Sequence, residues 1–285
     1  MTRIAYVNGR YLPRSQATVS IDDRGLYFGD GVYEVCQVHG GRLIDEARHL
    51  TRLDRSLEEL RIDWPLAPEA LARILREVVA RNFVRDGIVY LQISRGVARR
   101  DHGFPNPPVR PTLTVTAKSL DPLIGEAKAA RGVKVVTVLE ERWARPDIKS
   151  LQLLPNVLAK QHAREAGVEE AWFVDPQGFI TEGSSTNAWI VTDDGVLVTR
   201  QADRSILHGV TRATLIDVAG QAGIPLELRP FALEEAFDAR EAFFSSASTI
   251  AMPVVEIDGQ MIGDGKPGAL TLELRRRFHQ VAAKS

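Results

Sequence analysis

Cysteine is almost missing from this sequence. Cys36 is the single one, so no disulfide can form within the chain. Disulfides are the usual mark of secreted domains. The N-terminal run Met1-Thr2-Arg3-Ile4-Ala5-Tyr6-Val7-Asn8-Gly9 holds no apolar stretch of signal-peptide length, and the two absences together lead to the expectation of a cytoplasmic protein. No segment approaches the uninterrupted apolar length of a membrane span. An excess of charge of one sign is also lacking. Lys and Arg number 36 against 37 Asp and Glu, which leaves no electrostatic footprint for nucleic acid or an anionic membrane. A local pocket can still receive an anionic substrate. None of the six histidines pairs at the spacing of a zinc helix and there is no Cys-x-x-Cys, so no metal site is expected. Ordinary nucleotide binding has no support either, because both Gly-x-Gly-x-x-Gly and a Walker loop are missing.

What is present is an ordinary globular composition, with 44% hydrophobic residues over a length that suits one large domain or two modest ones. Tyr6-Val7, Asn8-Gly9 and Tyr11-Leu12 spell a hairpin. Residues 32 to 38 alternate apolar and polar, and Gly40-Gly41 turns them into Arg42-Leu43-Ile44, a second hairpin. Asp45 is the expected N-cap of a helix with Leu50, Leu53, Leu57 and Leu60 on its apolar face. Pro68 opens another helix. Strands are expected at 88–94 and 112–117, and a polar, proline-broken loop spans 95–110. Asp121-Pro122 and Gly125 break the pattern, so residues 121–132 read as a linker between a smaller N-terminal domain, 1–120, and a larger C-terminal one, 133–285. In the second half, strands are expected at 133–139, 171–174, 188–191, 196–199, 242–245 and 254–257, with helices at 157–166 and 211–222. The fold class is α+β in two domains, each with a mixed or antiparallel sheet.

Four segments are polar or glycine-rich where packing alone does not ask for it. Asp22 to Glu34 holds Gly29-Asp30-Gly31 just before a strand and, read alone, is a tight turn. Arg142 to Ser150 carries Lys149. A lysine is usually solvated, but partial burial would lower its pKa and make the amine nucleophilic. Thr181-Glu182-Gly183-Ser184-Ser185-Thr186-Asn187 lies between two expected strands and, read alone, is a turn held by its own side chains. Leu207-His208-Gly209-Val210-Thr211-Arg212 precedes a helix that Thr211 can cap, and free amides there would suit a phosphate.

In this order and spacing, Phe28-Gly29-Asp30-Gly31-Val32-Tyr33-Glu34, Asp147-Ile148-Lys149-Ser150 and Thr181 to Asn187 resemble the fold-type IV pyridoxal-phosphate enzymes. That family includes D-amino-acid and branched-chain aminotransferases and aminodeoxychorismate lyase. The resemblance runs from the Asn8-Gly9 hairpin to Glu256-Ile257-Asp258-Gly259. It implies a two-domain fold with the active site at the domain interface and pyridoxal 5'-phosphate as cofactor. It implies that Lys149 is the Schiff-base lysine and general base, and that Glu182 faces the pyridine nitrogen. Arg52 is then the phosphate-binding arginine, Val210 and Thr211 further phosphate donors, and Leu207 an apolar contact of the ring. Where the family usually has a threonine in the phosphate cup, this chain has Ala247, with Ser246 and Ser248 beside it.

The loop Arg95 to Pro105 is similar to that of D-amino-acid aminotransferases, which bind the substrate carboxylate with an Arg-x-His pair. Arg100 and His102 match it, and Tyr33 joins them. A fixed cation beside a tunable donor can hold a carboxylate. In that subfamily the loop reaches the partner subunit, so a homodimer is implied. The expected reaction moves an amino group between a D-amino acid (D-alanine, D-glutamate) and a 2-oxo acid (2-oxoglutarate, pyruvate). A branched-chain L-amino-acid aminotransferase, an (R)-amine transaminase or aminodeoxychorismate lyase would share the scaffold. Val35, Gln37 and the Arg100/His102 loop agree better with the D-specific pattern. A non-catalytic phosphate-ligand binder is the reading of another class, and the presence of Lys149 speaks against it.

Overall fold

Asn8 and Gly9 both adopt positive φ, 45° and 96°, as a two-residue hairpin turn of the favoured hand requires. In the computed structural model, which describes residues 3–285, they join β1 (Ile4–Val7) to β2 (Arg10–Pro13). The turn read before the next strand contains a short helix, α1 (Arg24–Phe28). Asp23 caps it by accepting from the Gly25 amide at 2.8 Å, and Gly29 ends it at φ 64°. Strand β3 (Gly31–His39) turns over Gly40-Gly41 into β4 (Arg42–Leu43). Then come α2 (Glu46–Leu60), α3 (Pro68–Arg81), β5 (Gly87–Ser94) and β6 (Thr112–Ser119). These strands form one antiparallel sheet in the order β2-β1-β6-β5-β3-β4. Val32, Cys36 and Val38 of β3 pack with Leu53, Leu57, Leu71, Leu75 and Val78 of the two helices. Each such side chain contributes about 1.5–3 kcal/mol by leaving water. Asp45 does stand at the N-cap of α2, yet at φ 53° its carboxylate accepts from the Ala283 amide at 3.0 Å instead of capping the helix.

This first unit comprises Met1–Asp121 together with Ile148–Gln152 and Ala283–Ser285. Its added segment pairs along β3: the Tyr33 amide donates to the Lys149 carbonyl, the Leu151 amide donates to the Gly31 carbonyl, and Val32 bridges Ser150. Gly31 is required there, since a Cβ would lie 2.6 Å from the Ile93 carbonyl oxygen and 2.8 Å from Leu151.

The second unit is Pro122–Asp147 with Leu153–Ala282. The stretch expected to be a linker, 121–132, is mostly a helix, α4 (Pro122–Arg131). Pro122 opens it, where a missing amide costs nothing, and the alanine-rich turn that follows favours helix and buries Ala129. In chain order there follow β7 (Val133–Leu139), α5 (Leu154–Glu165), β8 (Glu170–Val174), β9 (Phe179–Gly183), β10 (Asn187–Val191), β11 (Leu197–Thr199) and α6 (Val210–Gln221). The unit closes with β12 (Leu226–Leu228), β13 (Phe231–Ala232), α7 (Leu233–Phe237), β14 (Glu241–Ser246), β15 (Ile250–Ile257), β16 (Gln260–Met261) and α8 (Ala269–Val281). The sheet order is β12-β11-β10-β14-β15-β7-β8-β9-β13, with β16 on β15. Strand β7 runs parallel to both neighbours, whereas β10, β14 and β15 are antiparallel, so the sheet is mixed. All five residues of β10 are buried, which explains its unbroken apolar run Ala188 to Val191.

Two site segments differ from their sequence reading. Glu182 lies on β9, a strand obscured by its polar residues Thr181 and Glu182, rather than in a turn. Gly209, not Thr211, is the N-cap of α6; Thr211 is in the first turn with its side chain buried.

Candidate active site

In the first unit, β3 presents alternate residues to two faces. Glu34 points inward with the core and is 1% exposed, while Tyr33 and Lys149 share the other face. Lys149 Nζ lies 4.2 Å from the centroid of the Tyr33 ring, and Tyr33 stacks on Tyr90 at 5.7 Å. Tyr90 donates to Gln92 at 2.8 Å, and burial followed by the neighbouring Tyr33 pushes its hydroxyl up to about 12. A half-buried primary amine held over an aromatic ring is fixed in place while remaining open to a ligand.

Behind this face, Arg52 of α2 grips Glu34 with two bonds, Nε to Oε1 at 2.6 Å and Nη2 to Oε2 at 2.7 Å. His49, one turn earlier, meets Glu34 Oε2 through Nδ1 at 2.7 Å. Burial opposes the Glu34 charge, but Arg52 and His49 outweigh it and hold the carboxyl well below the usual carboxylate range. Burial is also the main influence on His49 and lowers it. Ser56, one turn after Arg52, accepts from the Lys149 amide at 3.3 Å. Thus His49, Arg52 and Ser56, at helical spacing, bind one face of α2 to the strand and to the lysine segment.

The loop that bears Arg100 and His102 is exposed, but its backbone is tied down. Arg24 donates to the Asp101 carbonyl at 2.6 Å and to the His102 carbonyl at 3.4 Å, and its Nε bonds Asp30 at 2.7 Å. Arg95 holds the same Asp30 through two nitrogens, at 2.8 and 3.0 Å. The Phe28 ring packs against Arg100 at 5.4 Å and His102 at 5.4 Å. Among the described residues, Arg100 and His102 make their contacts here, and the structure does not bring them against Tyr33 or Lys149 of the same chain.

In the second unit, Glu182 is buried on β9 and both oxygens are engaged. Oε1 accepts from Arg142 Nη1 and from the Leu207 amide at 3.1 Å; Oε2 accepts from Asn187 Nδ2 at 2.9 Å. Asn187 Nδ2 also donates to the Leu207 carbonyl at 3.1 Å. A Cβ on Gly209 would collide with Asn187 Oδ1, so the N-terminus of α6 sits directly against that side chain. Asn187 therefore couples the Glu182 carboxylate to Leu207 and to the first turn, Val210 and Thr211, where backbone amides face outward as at any helix start. Ser245 pairs with Asn187 across β14 and β10, so the turn with Ala247 leaves the sheet at this same end. The flanking hydroxyls turn on one another: Ser246 Oγ lies 2.8 Å from Thr249 Oγ1 and 3.3 Å from Ser248 Oγ.

Sequence reasoning gave no role to Glu34, His49, Ser56, Tyr90, Arg24, Asp30, Arg95, Arg142 or Asn187, although several lie in the segments it singled out. Most of these act through other residues. The signal that could have found Glu34 is a carboxylate on the inward positions of an otherwise apolar strand face, which demands a buried cation.

Comparison with known proteins gives a consistent picture. The family model for amino-transferase class IV matches residues 31–257. D-alanine aminotransferase of Staphylococcus haemolyticus is 37% identical over 281 residues, 98% of each chain. D-alanine aminotransferase of Listeria innocua is 39% identical over 274 residues, 95% of this chain and 93% of that one. Among solved structures, a branched-chain amino acid aminotransferase from T.th. with pyridoxamine 5'-phosphate superposes with a TM-score of 0.90 at 27% identity, covering 98% of this chain and 94% of that one. A branched-chain amino acid aminotransferase of Escherichia coli, 23% identical, shares the fold with a TM-score of 0.88 over 99% and 94% of the two chains.

Proposed function

The chain belongs to the amino-transferase class IV family and is a transaminase, and on that premise we propose that it exchanges the amino group between a D-amino acid, D-alanine or D-glutamate, and a 2-oxo acid, 2-oxoglutarate or pyruvate, with pyridoxal 5'-phosphate as cofactor. The observation that carries this reading is the identity of 37–39% with D-alanine aminotransferases over nearly the whole of both chains. The solved branched-chain aminotransferases support the second reading, transfer from a branched-chain L-amino acid on the same fold.

The donor set fits that cofactor. In the first unit it offers a primary amine, Lys149 Nζ, above Tyr33. In the second it offers a buried carboxylate whose Oε2 takes one hydrogen bond from Asn187, and the start of a helix, a place whose free amides suit an anion. When bound, the cofactor supplies a carbonyl that takes up the amino group and a ring that delocalises the electrons left by the departing Cα proton. Lys149 would hold it covalently and carry the proton at the substrate Cα. Glu182 would face the ring nitrogen, and an ionised carboxylate there favours the protonated ring. Leu207 would line the ring, while Val210, Thr211, the Ala247 amide and Arg52 would bind the phosphate. Arg52 would do so from its grip on Glu34, which fixes the plane of its fork. With Ala247 in the cup and the hydroxyls of Ser246, Ser248 and Thr249 turned on one another, the phosphate would rely on the amides, the Thr211 hydroxyl and the Arg52 guanidinium.

Tyr33, Arg100 and His102 would bind the substrate carboxylate. We assign the last two to the partner's site in a homodimer. Their contacts within one chain, to the Phe28 ring and not to Tyr33 or Lys149, support this, as does an exposed apolar ridge on α5, where Leu154, Val157 and Leu158 are 57–69% exposed at helical spacing. A cytoplasmic location is part of the same reading. Among the described residues no helix is long and apolar enough to cross a membrane.

A single-turnover experiment tests the reaction. D-alanine and L-leucine are added separately to purified enzyme and the cofactor absorption is followed. Conversion by D-alanine alone is the expected result; conversion by L-leucine alone would replace this reading with the second one. Lys149→Ala should abolish both.

A further inference from the structure

Glu182 does not stand alone in its unit. Arg142, just beyond β7, places a guanidinium between two carboxylates, with its side chain 5% exposed. Nη1 meets Glu182 Oε1, while Nε and Nη2 hold Glu140 at 2.9 and 2.5 Å. Glu140 is fixed in turn by the Thr181 hydroxyl at 2.8 Å, and Thr181 is the strand neighbour of Glu182. Arg142 Nη2 also reaches the Thr181 hydroxyl and the Ser205 carbonyl, both at 3.4 Å. The guanidinium carbon sits 4.6 Å from the centroid of the Phe173 ring. The fork is thus oriented by Glu140, by Phe173 and by two polar groups, and what it presents to Glu182 is one nitrogen aimed at one oxygen.

The division of the carboxylate follows. Among the described residues, Oε1 takes Arg142 and the Leu207 amide, and Oε2 takes only Asn187. A carboxylate oxygen accepts two or more hydrogen bonds, so Oε2 is the atom with capacity for another donor. Burial by itself favours the neutral acid, and it pushes the Glu182 carboxyl up; Arg142 is the largest influence in the opposite direction. Arg212, buried on α6 with Nη2 on the Arg200 carbonyl at 2.7 Å, is a second cation in the field of Glu182, but it makes no hydrogen bond to it. Asn187 and Thr181 are neutral. Of the described groups around Glu182, Arg142 alone combines full charge with direct contact.

We propose that Arg142 is a positioning residue that keeps Glu182 ionised and reserves Oε2 for the cofactor, so that this guanidinium sets the protonation state of the ring nitrogen. The inference rests on the reading above that Glu182 faces that nitrogen. It adds a residue that acts through Glu182, its own contacts being to Glu182, Glu140, Thr181, Ser205 and Phe173. A neutral glutamic acid at the same place could only share a proton with an uncharged ring, which withdraws electrons less from the substrate Cα.

The test is nitrogen NMR of holoenzyme reconstituted with ring-15N pyridoxal phosphate, on wild type, Arg142→Gln, Arg142→Lys and Glu182→Gln, each checked for folding by circular dichroism. Wild type should show a protonated ring nitrogen at neutral pH. Arg142→Gln should move the signal to the unprotonated position and lower kcat by about 100-fold, the scale of losing one aligned electrostatic group, with KM for D-alanine changed less than about threefold, as for an interaction outside substrate binding. Arg142→Lys, which keeps the charge, should restore the protonated signal and part of kcat. A protonated nitrogen in Arg142→Gln, even with reduced kcat, would make Arg142 merely structural and overturn the proposal. If the glutamine variant fails to fold, an unprotonated nitrogen in folded Arg142→Lys overturns it equally. Failure of the underlying reading looks different: Glu182→Gln would then leave the nitrogen signal as in wild type.

Discussion

Replacing Glu34 by Gln should destabilise the protein far more than an isosteric change at a surface site. Glutamine keeps the shape and one acceptor, so Arg52 retains one hydrogen bond. It loses the charge, however, and Arg52 is 9% exposed with its Nε and Nη2 both committed to Glu34. Removing one partner of a buried pair leaves an uncompensated ion and costs about 3–5 kcal/mol. The His49 Nδ1 contact at 2.7 Å is weakened in the same step, which places the expectation at the upper half of that range. At roughly 2–4 °C per kcal/mol for chains of this order, the melting temperature should fall by about 8–20 °C in differential scanning calorimetry at pH 7. The double variant Glu34→Gln/Arg52→Met removes the stranded charge as well. It should recover a large part of the loss, because no uncompensated buried ion remains. A Glu34→Gln enzyme within about 0.5 kcal/mol of wild type, or a double variant no more stable than the single one, would refute this account of the network.

Three further outcomes follow from the same geometry. Because the folded state holds the Glu34 carboxyl below its ordinary value, its contribution is complete above the unfolded value of about 4.3 and is lost as pH falls through the lower folded value; urea unfolding between pH 3 and 7 should therefore show a shallower acid branch in Glu34→Gln than in wild type. Arg24→Ala frees the backbone at Asp101 and His102, and initial-rate kinetics should show KM for D-alanine raised about tenfold, from loss of roughly 1–1.5 kcal/mol of hydrogen bonding, with an unchanged KM counting against a held carboxylate loop. Gly209→Ala drives a methyl group into Asn187 Oδ1, so it should cost about 1–3 kcal/mol by overpacking and weaken cofactor retention in equilibrium dialysis.

The parts of this protein legible in the sequence are those written in local patterns. Asn8-Gly9, the alternation after Gly31 and the leucines of α2 each announce their element because turn chemistry and periodicity act over a few residues. Strand β9 was hidden since its buried positions include Thr181 and Glu182, which are stabilised by Glu140, Arg142 and Asn187 from elsewhere in the chain. The helix α4 was hidden by Asp121-Pro122 and Gly125, breakers that a helix tolerates when its first turn takes the proline and its buried face is alanine. Lys149, Glu182 and Arg52 were picked out as candidates through a resemblance of motifs. Their supporting residues were not, because a partner such as Glu34 for Arg52 is set by which face of β3 meets α2, and no single segment states that.

The five residues Ile148–Gln152 join a unit whose other strands end by Ser119. Tyr33 must therefore find the carbonyl of Lys149 across more than a hundred intervening residues. Closing a loop of that size carries an entropic cost that rises only logarithmically with length, but it must be met before the pairing returns any stabilisation. The lysine strip is thus expected to pair late in folding. A fragment cut after Asp121 would be left with β3 lacking this partner, a bare edge rather than a reactive face. Competence to bind a carbonyl through that amine would then appear in time-resolved refolding only after the bulk of secondary structure, which makes the appearance of the amine over Tyr33 a clock for completion of the first unit.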